Sequence, residues 1–124
     1  MSKKIICIDF DGVLHSYESG WKGADVVADR PVLGAIAWLS RIAHEDGFKA
    51  AIYSARSSQD GGIDAMKTRL FMNGLSNDTM DLIDFPTQKP HAFLTIDDRC
   101  IQFTGEFPDF DEINNFKPWN KKDV

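Results

Sequence analysis

Asp9 and Asp11, separated by one residue at the end of an apolar run, are the first groups in the chain able to do chemistry together. Side chains two apart in an extended chain point the same way, so both carboxylates project to one side while Phe10 turns into the core. Like charges that close repel and raise one pKa unless a cation sits between them, and oxygen-only ligands suit a hard cation such as Mg2+. Taken alone, an Asp-x-Asp beside Gly12 reads as a pair of turn acids at a strand end. Ser54 and the neighbours Asp97 and Asp98 also follow apolar runs. Three separate segments therefore bring polar groups to strand ends.

The elements that must position them follow from hydrophobic patterning. Lys4 to Ile8 is a continuous β-favouring run, the pattern of a strand buried on both faces in a parallel sheet. From Pro31 to Asp46, Val32, Ile36, Leu39 and Ala43 recur at helical spacing, with Pro31 suited to a first turn and Gly47 to a stop. Phe48 to Tyr53 is a second strand, and Ile63, Met66, Leu70 and Phe71 mark a second helix closed by Asn73-Gly74. Met80 to Phe85 is a weaker strand candidate, Ala92 to Ile96 a good one. The segment 107–124 predicts a short helix plus extended chain. Alternating strands and helices joined by short loops predict an α/β fold. We expect a three-layer sandwich with a mostly parallel, Rossmann-like sheet, helices on both faces, and ligands outside the carboxyl ends of the strands.

Length and charge narrow the function classes. The 124 residues fit one domain, whose core needs neither disulfide nor structural metal, so a metal here would serve chemistry. Fourteen basic against 19 acidic residues give a net charge of −5, which disfavours electrostatic capture of nucleic acid or anionic membrane. Lys3-Lys4 and Lys121-Lys122 read as solubilising terminal charge. Cys7 and Cys100 lack CxxC spacing and read as small buried hydrophobes of a reducing cytosol. The apolar run after Lys4 is too short for a signal peptide, and no stretch approaches membrane-spanning length. His15, His44 and His91 are scattered, without the spacing of a zinc site, and only His15 falls near the acids.

Ile5 to Val13, Ala51 to Ser54, Lys89-Pro90 and Leu94 to Asp98 resemble, in order, the four motifs of the haloacid dehalogenase-like superfamily. Most members are Mg2+-dependent phosphatases, with fewer phosphotransferases and dehalogenases. The resemblance implies that Asp9 is the nucleophile and forms an aspartyl-phosphate. Asp11 is then the group that protonates the leaving group and later deprotonates water. The implied Mg2+ ligands are Asp9, the backbone carbonyl of Asp11 and an acid of the fourth motif, with Asp98 the direct ligand and Asp97 in support. Ser54 would hydrogen-bond the phosphoryl group, though a serine there also serves as a local turn or helix cap. Lys89 matches the third-motif lysine but departs from the common pattern, since only Pro90 and His91 separate it from Ala92. Lys67 and Arg56 are the alternatives. Arg56 and Arg99 could grip phosphate, or pair with surrounding acids.

The gaps 14–30 and 56–89 leave room for a flap and for core elements but not for a cap domain, so the expectation is one capless domain over 1–124. Tyr17 and Trp21 in the flap could stack on a base or sugar, or fold the flap onto the domain. The leading expectation is a cytoplasmic phosphomonoesterase. Alternatives are a phosphotransferase or polynucleotide-end phosphatase of the same fold, a receiver-like domain, and a non-catalytic phosphate-binding module. The substrate is phosphorylated but unspecified, and an oligomer is compatible with Phe107, Phe110, Phe116 and Trp119, apolar enough to pack on the domain or on a partner.

Overall fold

The computed structural model describes residues 2–120. The elements run β1 (Lys4–Ile8), α1 (Ala35–His44), β2 (Phe48–Ile52), α2 (Gly62–Met72), α3 (Asn77–Met80), β3 (Leu94–Ile96) and α4 (Phe110–Asn114). The sheet is open, parallel and three-stranded, in the order β2-β1-β3. Ile6, Cys7 and Ile8 of the central strand are all buried, which is why β1 reads as an unbroken apolar run. Ile6, Ile8, Phe10, Leu39, Ile52 and Met66 belong to one core.

The register decides where the chemistry falls. Ile8 lies opposite both Ile52 of β2 and Ile96 of β3, so the strands end level. Asp9 and Asp97, each the next residue, leave the sheet side by side at its carboxyl edge.

Three elements differ from expectation. α1 starts at Ala35 rather than Pro31, because the chain before it is zipped to the first loop: Pro31 bridges to His15 and the Val32 N–H donates to the Leu14 carbonyl at 2.8 Å. Gly34, with φ 84°, makes the turn into the helix, which buries Ala35, Leu39 and Ala43. Met80 to Phe85 is not a strand. The Ser76 side chain caps α3 by accepting the Thr79 N–H, and Leu82 and Ile83 bond back to Thr79 and Met80 as a continuing coil. Only Asp84 pairs with the β2 backbone, as a single parallel bridge to Ala51, and Pro86 has no N–H to extend a ladder.

β3 is a three-residue edge strand, largely exposed, rather than the longer Ala92–Ile96. The tail does form the expected short helix, α4, but the chain after it is irregular and ends in a turn at Trp119-Asn120; Lys121-Lys122 lie outside the described residues. Cys7 is buried, and burial pushes its thiol pKa up. Cys100 is exposed, against expectation, because the chain beyond β3 does not fold back over it. No described helix is long and apolar enough to cross a membrane.

Candidate functional site

Asp9, Asp97 and Asp98 each place a carboxylate oxygen within 4.8 Å of the others. The level ends of β1 and β3 account for Asp9 and Asp97. Asp98 is brought in by Gly12, whose φ of 84° suits glycine and whose missing Cβ leaves the space that the Asp98 carboxylate fills. The Asp98 side chain is 4% exposed, packed over the Asp9–Gly12 turn. Burial, the hydrogen-bonded Asp98 carboxyl and the charge of Asp97 push the Asp9 pKa up to about 8. Three crowded carboxylates and a loop glycine that admits them form a donor set suited to a hard, oxygen-seeking cation. These residues fit Mg2+.

Asp11, which leaves the same turn, is not part of that triad. His15 Nδ1 lies 2.8 Å from its Oδ1, and Arg56 Nε donates to both carboxylate oxygens, at 3.2 and 3.0 Å. The tautomer of His15 follows from its other nitrogen. The Asp29 backbone N–H can only donate, so Nε2 accepts it at 3.0 Å and Nδ1 carries the proton given to Asp11. Burial works to raise the Asp11 pKa, but the His15 and Arg56 hydrogen bonds outweigh it and hold the carboxyl below its ordinary range. The two acids of Asp-x-Asp thus sit in opposite environments.

Arg56 is fully buried and spends its second nitrogen on the flap: Nη1 donates to the carbonyls of Gly23, Ala24 and Val26, each at 2.9 Å. Trp21 lies over its guanidinium at 4.9 Å. Of the two readings of Arg56, pairing with a surrounding acid is the one the geometry supports. Trp21 and Tyr17, edge-on to His15, fold the flap onto the domain.

The far side of the flap is held by Asp29. Its carboxylate accepts the Ser19 hydroxyl at 2.6 Å and the Ser19 N–H at 2.8 Å, and these bonds hold its pKa below the usual range, helped by the charge of Lys22. A depressed carboxylate contributes stability present above its unfolded pKa of about 4 and lost as pH falls through the folded value. Hydrogen-exchange protection of the Ser19 amide and its neighbours should therefore decline below about pH 4 in wild type, and lie lower, with a smaller decline, in Asp29→Asn. Equal, pH-independent protection in both proteins would contradict this role.

Ser54 is buried at the end of β2. Its hydroxyl oxygen accepts the Arg56 N–H at 3.2 Å, and its own N–H donates to Ser57 Oγ at 3.0 Å, a local turn that leaves the hydroxyl proton uncommitted. Lys89 is exposed and makes no hydrogen bond or ion pair to Asp9 among the described residues. Lys67 lies over the Phe85 ring at 5.0 Å. Arg99 turns back on its own acids: its N–H donates to Asp97 Oδ1 at 2.9 Å, and Nε is 3.8 Å from Asp98 Oδ2. Sequence reasoning missed the tail. Trp119 Nε1 donates to the Gly12 carbonyl at 2.7 Å and Asn120 Nδ2 to the Ser16 carbonyl at 3.1 Å, so the far end of the chain holds the loop that carries Asp9 and Asp11.

Compared with known proteins, the chain matches no family model, no curated protein and no solved structure.

Proposed function

We propose that this chain is a Mg2+-dependent phosphohydrolase of the haloacid dehalogenase type, with a three-layer, Rossmann-like fold, acting on phosphomonoesters in the cytoplasm. The observation that carries the reading is the meeting of Asp9, Asp97 and Asp98 at the level ends of two parallel strands, with Asp11 two residues from Asp9 in a separate environment. Asp9, Asp98 and Asp97 would hold the cation, with the Asp11 backbone carbonyl as a further oxygen ligand. When bound, Mg2+ neutralises charge on the phosphoryl oxygens and on Asp9.

In the first step an Asp9 oxygen bonds to phosphorus as the bond to the leaving oxygen breaks, giving an aspartyl-phosphate. Asp11 protonates the departing oxygen in that step. In the second step Asp11 takes a proton from water, whose oxygen attacks phosphorus and releases Asp9. The His15 and Arg56 bonds favour the ionised form of Asp11, so its environment suits the second step better than the first. Ser54 offers its free hydroxyl proton to the phosphoryl group. Lys89 completes the charge balance if substrate draws it inward.

The test is hydrolysis of an aryl phosphate with Mg2+ and with chelator. We expect turnover with Mg2+, its loss on chelation and its return when Mg2+ is restored. Absence of Mg2+-dependent turnover would overturn the reading.

A further inference from the structure

Residues 99–117 are all exposed, Pro108 excepted. The chain nevertheless ends its described course on the loop after β1, where Trp119 Nε1 donates to the Gly12 carbonyl at 2.7 Å and Asn120 Nδ2 to the Ser16 carbonyl at 3.1 Å. Among the described residues, these are the only hydrogen bonds that residues 100–120 make to the rest of the domain.

Gly12 is the residue of that loop most in need of a hold. At φ 84° it occupies a conformation that its missing Cβ allows, and the same freedom lets it leave. A Cβ there would overlap the Asp98 carboxylate, so the conformation of Gly12 and the seat of Asp98 beside Asp9 are one arrangement. The backbone of Gly12 is fixed at two points: its N–H donates to the His15 carbonyl at 2.8 Å, and its carbonyl accepts the indole N–H. Only the first of these holds comes from within the loop. We propose that Trp119 is a positioning residue for the acid cluster: by holding the Gly12 carbonyl it keeps the loop in the conformation that seats Asp98 beside Asp9. Taking the cluster as the Mg2+ site proposed above, docking of the chain's far end and cation binding then favour one another, by the reciprocity that any such coupling obeys.

Trp119→Phe keeps an aromatic ring at a half-exposed position and removes the donor. Trp38→Phe is the matched control, since Trp38 lies on α1 and shares a surface cleft with Phe48, which begins β2 at the end of the sheet away from the acids. By calorimetry on the full chain, we expect Trp119→Phe to raise the Mg2+ dissociation constant about 10-fold, and Trp38→Phe to leave it unchanged. In the metal-free proteins, hydrogen exchange of the Gly12 amide should quicken at least about 5-fold in Trp119→Phe, beyond any change at Cys7 and Ile8 of β1. A variant that is merely less stable would speed loop and strand alike and keep the Mg2+ affinity of the folded protein; that result overturns the proposal. Unchanged exchange at Gly12, or unchanged affinity where the wild type binds Mg2+, overturns it equally. A wild type that binds no Mg2+ would overturn the metal reading instead, and the metal-free exchange comparison then decides the role of Trp119.

Discussion

Asp9→Asn is expected to lose phosphatase turnover by at least about 10^3-fold, as loss of a covalent nucleophile does, while the metal-free protein becomes more stable. Both effects come from the same crowding. An amide cannot attack phosphorus as a carboxylate can, so the first step is removed. In the folded protein without a cation, burial, Asp98 and Asp97 all disfavour the charged form of Asp9, as its pKa of about 8 records. Asparagine has nearly the same shape, carries no charge, and offers an N–H to the Asp98 carboxylate. The gain should be about 1 kcal/mol or more, a rise of roughly 4 °C in Tm for a chain of this size. Mg2+ should raise the wild-type Tm and have little effect on the variant, because one of three clustered carboxylates is gone. Paired thermal melts and initial rates check both claims. A variant that turns over at the wild-type rate removes Asp9 as nucleophile, and one that melts lower without metal removes the account of its environment.

The parts of this site legible in the sequence are those that depend on local pattern. An apolar run followed by Asp-x-Asp-Gly, and another followed by Asp-Asp, are enough to place acids at strand ends; parallel pairing in level register then brings Asp9 and Asp97 together. Gly12 is legible as a turn residue, but not as the gap into which Asp98 packs, since that depends on a residue 86 positions later. Arg56 was legible as a cation near Ser54, with its partner open. Its choice of Asp11 and three flap carbonyls is a matter of tertiary packing that no spacing encodes. The Trp119 bond to Gly12 is harder still, because an aromatic in a Pro- and Asn-rich tail looks the same whether it packs on its own domain or on a partner. Strand lengths failed where local hydrogen bonding competed: the Ser76 cap drew Asn77 to Met80 into a helix despite the apolar residues that follow.

Arg56→Met should be the most destabilising substitution of a site residue. Breaking a buried ion pair by removing one partner costs about 3–5 kcal/mol, because the remaining charge stays desolvated without its counterpart. Here the remaining groups are Asp11, left with His15 alone, and the carbonyls of Gly23, Ala24 and Val26, left without their shared donor. Methionine fills the volume of the stem, so the loss reports the hydrogen bonds rather than a cavity. We expect Tm to fall by more than about 10 °C, and the flap to become the first site of cleavage in limited proteolysis. Arg56→Lys should recover little, since an ammonium is a single point charge and cannot reach a carboxylate and three carbonyls with one planar fork. If Arg56→Met melts within about 1 kcal/mol of wild type and its flap stays protected, Arg56 does not hold the flap to Asp11. If Arg56→Lys matches wild type in both measurements, the charge alone suffices and the fork geometry is incidental.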